Sequence, residues 1–535
     1  MSTKRCLRVT MWVLLCVVFA GRSSPTWART IYVDDDATGV HDSTSWDAWR
    51  TLQDALYFAA QAGDEIRVAQ GVYRPDQGYD QTAGDRHATF RVPDGVTIKG
   101  GFAGVGAADP NLRDIARFAT VLTGDLAGID DPNDARSWLD NTKHIITAMS
   151  VDDGTVLDGL IIAHGYGANR YDAALYNEGG SLVVRDCTFR DSYAEHGYGA
   201  VYNHKGNLRL ERCCFTRNWT DDIAGALYNE EGSVEVIASE FVENECSAGA
   251  PAVFNDGGRA VFSGCLFRAN RSWDGLGIVW SDGETSLLYC TFLDNYSLEH
   301  EAGITCFRGQ TRIAHCLFAG NRGADGTLRV WGGSVSLDQC TFSGNVGWWG
   351  DFEGFAGALC VPRSFRPDAG MATARGCIFW GNRNLNNAVT GYAAQVSGDP
   401  NRISLEYCCI EGWTPQRGGL GNIGVDPLFV APDQNDFHLK SQAGHWDAAS
   451  LAWVLDEVTS PCIDAGDPNS PLGQEPFPNG GRVNMGVYGG TCEASKSWFG
   501  AEAGPGVAAA GLNGDGRVDA EDYRLALQRW PQADQ

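Results

Sequence analysis

The chain has 535 residues, 67 of them Gly, and a formal net charge of −26. Glycine well above the usual ~7% favours a turn-rich architecture over a helical bundle. The negative surface works against binding phosphate backbones or anionic lipid headgroups, and the apolar content of 43% is too high for a disordered chain.

Lys4, Arg5 and Arg8 precede an apolar run from Met11 to Gly21, and Thr26-Trp27-Ala28 offers small residues where a signal peptidase reads. Residues 1–28 therefore read as a signal peptide, and the protein is expected to be secreted or displayed at the cell surface. The apolar run is short for a membrane span, and no later stretch is longer, so no span is expected in the mature chain. Loss of Lys4, Arg5, Arg8 and Arg22 with the signal makes the mature chain more acidic still.

Residues 29–75 read as an N-terminal cap with the first strands. Trp46, Trp49, Leu52, Leu56 and Ala60 follow helical spacing, which predicts an amphipathic plug over 45–62 with both Trp in the core. Residues 76–148 are less regular. They are expected to hold early coils and a long excursion carrying Asp125, Asp130, Asp131, Asn133 and Asp134.

From 149 to 425 the chain repeats. Phe189, Phe215, Phe241, Phe267, Phe292, Phe318 and Phe342 are 24 to 26 residues apart, and Phe379 follows after an insertion. Two residues before these eight Phe stand Cys187, Cys213, Ser239, Cys265, Cys290, Cys316, Cys340 and Cys377. Three residues after them stand Ser192, Asn218, Asn244, Asn270, Asn295, Asn321, Asn345 and Asn382. A second column reads Tyr176-Asn177, Tyr202-Asn203, Tyr228-Asn229, Phe254-Asn255 and Trp280-Ser281.

A period in the mid-twenties with short alternating strands predicts an all-β solenoid whose coils stack at ~4.8 Å. Cys and Phe of each Cys-x-Phe would point inward and pile on their counterparts. The Asn is expected in a left-handed turn, its amide bonding to the next Asn. The cysteines then read as small core residues rather than bridges. All these columns are explained by structure, without catalysis.

Phe-x-x-Asn with Gly225-Ala226-Leu227, Gly357-Ala358-Leu359 and Gly197 to Val201 resembles the repeats of polymorphic outer-membrane proteins. More broadly, the chain from Ile31 to Gly500 resembles secreted bacterial right-handed parallel β-helix proteins of the pectate-lyase-like superfamily. The opening Ile31-Tyr32-Val33-Asp34, the segment Gly63 to Ala69 with Gly71-Val72-Tyr73, and the ending Ser460 to Gly466 with Gly486 to Gly490 carry that likeness. The resemblance implies a single-stranded right-handed parallel β-helix and leaves activity open.

Residues 426–500 lose the period and read as an irregular C-terminal cap, where Cys462 and Cys492, outside the ladder, are the expected disulfide pair. Residues 501–510 form an Ala/Gly/Pro linker. The tail 511–535 places oxygen ligands at alternate positions around a Gly, as an EF-hand-like Ca²⁺ loop requires. It resembles half of a type I dockerin, which implies Ca²⁺ ligation by Asn513, Asp515, Arg517 through its carbonyl, Asp519 and Asp522. A single copy, with Gly511 where that family has an acid, argues against a cohesin-type partner.

Chemistry on such a solenoid lies on its solvent side. Seven residues beyond successive Phe stand His196, Asp222, Ala248, Asp274, Glu299 and Asp325, with Tyr193, Trp219, Trp273, Tyr296, Trp348 and Trp349 nearby. Acids beside exposed rings suit a sugar-binding groove, so Trp219, Trp273, Asp274, Tyr296, Glu299 and Asp325 are the candidate glycan-binding residues. Asp222 and Asp274, two coils and ~9.6 Å apart, fall near the upper limit for inverting hydrolysis and are the weak catalytic candidates. The coils hold few basic residues and no convincing acidic cluster beside one, as the Arg or Lys base of pectate lyases would need, and of the Asn-Thr-Asp, Asp-Asp, Gly-His-Gly and Arg-Ile-Lys signatures of polygalacturonases only Asp221-Asp222 has a counterpart. Three functions remain: a non-catalytic surface for an extracellular polysaccharide or cell-surface component, a polysaccharide lyase or glycoside hydrolase, and a structural envelope or adhesin-like component.

Overall fold

The structure, a computed structural model, describes residues 28–39, 41, 45–131, 135–169, 171–348, 356–363, 369–385 and 389–498. A regular coil lays down four short strands, the last two of which merge into one at Val253–Ser263, Val279–Leu288 and Ile304–Ala314. In one coil these are Thr188–Arg190, Tyr193–Ala194, Val201–His204 and Asn207–Glu211. The next repeats them at Cys214–Thr216, Trp219–Thr220, Leu227–Glu230 and Ser233–Ile237. All pair in parallel, Phe189 over Phe215 and Asn177 over Asn203, and they assemble into 21-, 12- and 9-stranded sheets.

The period-2 alternation fills the interior. Phe189, Phe215, Phe241, Phe267, Phe292, Phe318, Phe342 and Phe379 are fully buried and form one offset stack with ring centroids 4.4–5.1 Å apart. That spacing is the coil repeat itself, so ring contact and strand pairing are satisfied together. Gly199 and Gly225 open the next corner, because a Cβ on either would lie 2.1 Å from the Gly225 carbonyl oxygen and 2.5 Å from that of Pro251, respectively. This accounts for the Gly-Ala-aliphatic motif.

The asparagines are buried in a continuous ladder, but they are not the left-handed residues. Positive φ falls on the residue before each: Asp191, Arg217, Glu243, Ala269, Asp294, Gly320, Gly344 and Gly381. That residue turns the corner, and the following Asn points inward to satisfy the backbone groups the corner frees. Asn270 Nδ2, for example, donates to the Phe241 carbonyl (2.8 Å) and Asn295 Oδ1 (3.0 Å), while its Oδ1 accepts from Asn244 N and Nδ2 (both 3.0 Å). Ser192 opens the ladder by donating its N–H to Asn218 Oδ1. Gln395, on the short helix Tyr392–Gln395, closes it by accepting from Asn382 Nδ2 at 2.6 Å.

The Cys column does more than fill space. Cys290 and Cys340 donate backbone N–H groups to Cys316 and Cys377 Sγ, and thiols such as those of Cys213, Cys290 and Cys408 donate to the carbonyl two residues earlier. Ser239 makes the same pair of contacts: its Oγ accepts from Cys213 N and donates to Ile237 O. A small hydrogen-bonding side chain is what the corner requires, which is why Ser replaces Cys there without breaking the stack.

At the N-terminal end the helical turn is shorter than the spacing predicts. It spans Leu52–Asp54 and widens over Ala55–Ala59, starting where Thr51 Oγ1 accepts from Asp54 N. Trp46 and Trp49 precede it and are buried, Trp49 bridging to Val33. At the other end Tyr392, Ile403 and Trp413 pack over the core. The segment beyond 426 runs along the side of the solenoid. Phe429, Phe437, Leu439, Cys462, Ile463 and Met485 bury against Leu317, Ala319, Ile378 and Cys409 on the outside of the 12-stranded sheet. Gly486 N donates to Gly376 O, Val487 N to Thr341 Oγ1, and Arg375 pairs with Asp467 at 2.7 Å.

The expected Cys462–Cys492 bridge is not formed. Cys462 is buried, with its thiol against that of Cys409, while Cys492 is exposed and free. The cap folds inward at Cys462 and outward at Cys492, so the two thiols face different surroundings.

Candidate functional site

Two surfaces carry chemistry-bearing side chains. The first is the ridge built by the 9-stranded sheet, which supplies only two residues per coil. Its inward members are small, including Ala194, Thr220, Cys246, Ser272, Ser297 and Gly323. The outward members in order are Tyr166, Tyr193, Trp219, Glu245, Arg271, Tyr296, Arg322, Val346 and Arg383.

The six glycan-binding candidates fall into three groups along this ridge. Trp219 stacks on Tyr193 (4.6 Å, 30°), which also meets Tyr166 and Trp138. One face of Trp219 is therefore covered, and the ring is half-buried. Glu245 and Arg271 separate it from Tyr296, three coil steps and ~14 Å away. There Trp273, 42% exposed, meets Tyr296 edge-on at 6.5 Å, and Tyr296 stacks on Trp348 at 5.7 Å. Asp274 is exposed beside them and Glu299 partly so. Asp325 departs from the expectation of a solvent-facing acid: it is buried, because its turn folds in to pair with Arg329 and face His300 Nδ1 at 3.6 Å.

Asp222 and Asp274 share a column by the register Thr220, Cys246, Ser272. Among the described residues neither is ion-paired to a base.

The second surface is the outer face of the 21-stranded sheet. The Asn half of the second repeat column points inward, and its aromatic half points out. Tyr176, Tyr202, Tyr228, Phe254, Trp280 and Phe307 form a ladder at 4.8–5.5 Å. The phenols of Tyr176, Tyr202 and Tyr228 donate to Glu178, Glu230 and Asp256. Burial, together with these carboxylates, pushes all three phenols well above the ordinary tyrosine range. Tyr202 and Tyr228 are fully buried and packed with Tyr198, whereas Tyr176 and Phe254 are half-buried and Phe307 is exposed.

In register, Trp280 is followed by Thr305 and Arg329, and here the ladder meets a closed ionic cluster. Thr305 Oγ1 donates to Glu301 and accepts from Gly277 N; Arg329 pairs with Asp325 and lies 3.9 Å over the Trp331 ring. Glu301 is fully buried, which raises its carboxyl pKa against the opposing pull of Arg329 and His300. Glu301 Oε2 and Asp325 Oδ1 are buried without hydrogen-bond partners. The sequence reading missed His300, Glu301 and Arg329. Their signal was the run Glu299-His300-Glu301 and an Arg standing in register one coil after Thr305, where the aromatic run of the column has ended.

The proposed calcium ligands Asn513, Asp515, Arg517, Asp519 and Asp522, residues 1–27 and Trp349 lie outside the described residues. Among the described residues, no helix is long and apolar enough to cross a membrane.

Residues 141–292 and 172–346 match the family model described as right handed beta helix region. The solenoid is a right-handed parallel β-helix. Residues 401–466, at the end of the β-helix and the start of its lateral strap, match the model described as disaggregatase related. Among solved structures, the β-helix is similar to pectate lyase Pel9A at 14% identity and a TM-score of 0.41, covering 86% of this chain and 96% of that one. It is also similar to a rhamnogalacturonan lyase (12%, 0.37, covering 81% and 96%) and to XylC in complex with xylose (11%, 0.34, covering 75% and 87%). Identities this low carry nothing about the chemistry of this chain. No curated protein matches it.

Proposed function

We propose that this chain is an exported, non-catalytic β-helix that binds an extended glycan, an extracellular polysaccharide or a cell-surface component, along the ridge of its 9-stranded sheet. The observation that carries the reading is the Trp273–Tyr296–Trp348 strip beside Asp274 and Glu299. Exposed rings stack on pyranose faces, and neighbouring carboxylates accept hydrogen bonds from hydroxyls. The solenoid holds these groups at a fixed repeat, so little conformational entropy is lost on binding. Purified chain screened on a polysaccharide array should show retention without new reducing or unsaturated ends. Trp273→Ala should reduce retention of the bound polymer about tenfold, while retention equal to the parent would remove the strip from the reading.

A second reading, a polysaccharide lyase or hydrolase, is favoured by Glu301, whose carboxyl pKa is raised by burial, close to the ion-paired Asp325, since a buried carboxyl that holds its proton suits a general acid. The cluster is closed except at His300, which is why binding is preferred. Polymer cleavage abolished by Glu301→Gln would favour the enzyme. Neither retention nor cleavage would leave the structural role.

A further inference from the structure

The acidic excursion of the early coils holds a second feature that the glycan reading does not use. Asp125, Asp130 and Asp140 each place a carboxylate oxygen within 4.8 Å of the others. Two ligands on opposite sides of a Ca²⁺ ion, at about 2.3–2.6 Å each, are separated by about that distance, so one centre can serve all three.

The arrangement around Asp130 points to a missing ligand. Its side chain is 5% exposed. Oδ2 accepts from Asn141 Nδ2 and faces His164 Nδ1, both at 2.8 Å, yet Oδ1 is buried with no hydrogen-bond partner. Asn141, 2% exposed, also has an Oδ1 without a donor. A buried carboxylate oxygen left without a donor is costly, and a cation among the three acids removes that cost. No Arg or Lys among the described residues forms an ion pair with Asp125, Asp130 or Asp140. This is unlike the His300 cluster, where Arg329 already supplies the positive charge.

We propose that Asp125, Asp130 and Asp140 bind a structural Ca²⁺ ion. The donors are all hard oxygens, because His164 is turned to Asp130 Oδ2 rather than to the centre, and oxygen-only sets of irregular geometry suit Ca²⁺ over transition metals. The ion fastens the loop after Thr123 to the 3-10 turn Ala135–Asp140. That turn carries Trp138, whose ring meets Tyr193 at 5.6 Å, so the ion steadies the upper end of the aromatic ridge. The site is independent of whether the ridge binds glycan.

The test uses Tb³⁺ luminescence excited through tryptophan, with Ca²⁺ competition, on the full chain carrying Asp515→Asn and Asp519→Asn to silence the C-terminal loop. Sensitised emission displaced by Ca²⁺ in the range of extracellular modules, about 10⁻⁴–10⁻³ M, is expected. Asp130→Asn and, separately, Asp140→Asn should each weaken the site at least tenfold. Trp138→Phe should dim the emission while leaving Ca²⁺ affinity unchanged, a result independent of any folding defect in the acid variants. Absence of Ca²⁺-displaceable emission in the silenced background, or unchanged affinity in both acid variants, would overturn the proposal.

Discussion

Replacing Asn270 by Ala tests the buried amide ladder at its centre. The substitution removes both acceptor bonds at Oδ1 and both donor bonds at Nδ2, each 2.8–3.0 Å long. The Asn244 backbone N–H loses its acceptor, and the Phe241 carbonyl loses a donor. Asn244, Asn270 and Asn295 are all fully buried, so water does not replace those partners. An orphaned buried donor costs about 2 kcal/mol, and the remaining lost bonds add about 2 more, giving about 4 kcal/mol in all. Guanidinium unfolding should register that loss, and hydrogen exchange at the Asn244 amide should accelerate by local opening. Asn207→Ala is the control: Asn207 is exposed and its amide reaches only Ser181 Oγ at 3.3 Å, so its effect should stay within about 0.5 kcal/mol. A loss below about 1 kcal/mol for Asn270→Ala, with unchanged exchange at Asn244, would refute the ladder as a stabilising element.

Glu475 predicts a pH dependence of the lateral strap. Burial pushes its carboxyl pKa up to about 7, against the pull of the Asn484 and Gly490 N–H groups that donate to Oε1. The folded state thus holds a proton that the unfolded state releases near 4.5. The stabilisation is complete below that value and declines as pH rises to about 7, by about 3 kcal/mol. Glu475→Gln keeps the Oε1 acceptor and should flatten this slope in thermal melts between pH 4.5 and 8; an unchanged slope would remove Glu475 as its source. Native alkylation followed by peptide mapping should label exposed Cys492 first and leave buried Cys462 and the ladder thiols protected. Protection of both Cys462 and Cys492 until reduction would instead establish the bridge between them.

The sequence by itself determined the repeat: its period, the inward Cys and Phe, and the Asn ladder. A solenoid makes this legible because each coil touches only its neighbours, so the same contact recurs at the same interval and leaves a column in the sequence. Even within the column, the chain alone did not say which residue turns the corner, since left-handed φ falls on the variable residue before each Asn.

Tertiary structure decided whatever joins residues at no fixed interval. Gln395 ends the ladder begun by Ser192 although it belongs to no repeat. The place of the lateral strap was not legible in the repeat: it covers Leu317 and Ile378 at the middle position of Cys-x-Phe, yet it also lies on Thr341 at that position, and Leu266 is apolar there outside the cluster. The candidate site divided for the same reason. Asp274, Glu299 and Asp325 share a column, but the turn at Asp325 closes on Arg329 while the one at Asp274 opens to solvent. Strand register fixes the height of a side chain along the solenoid, whereas the length and partners of each connecting turn decide whether it meets water or the protein.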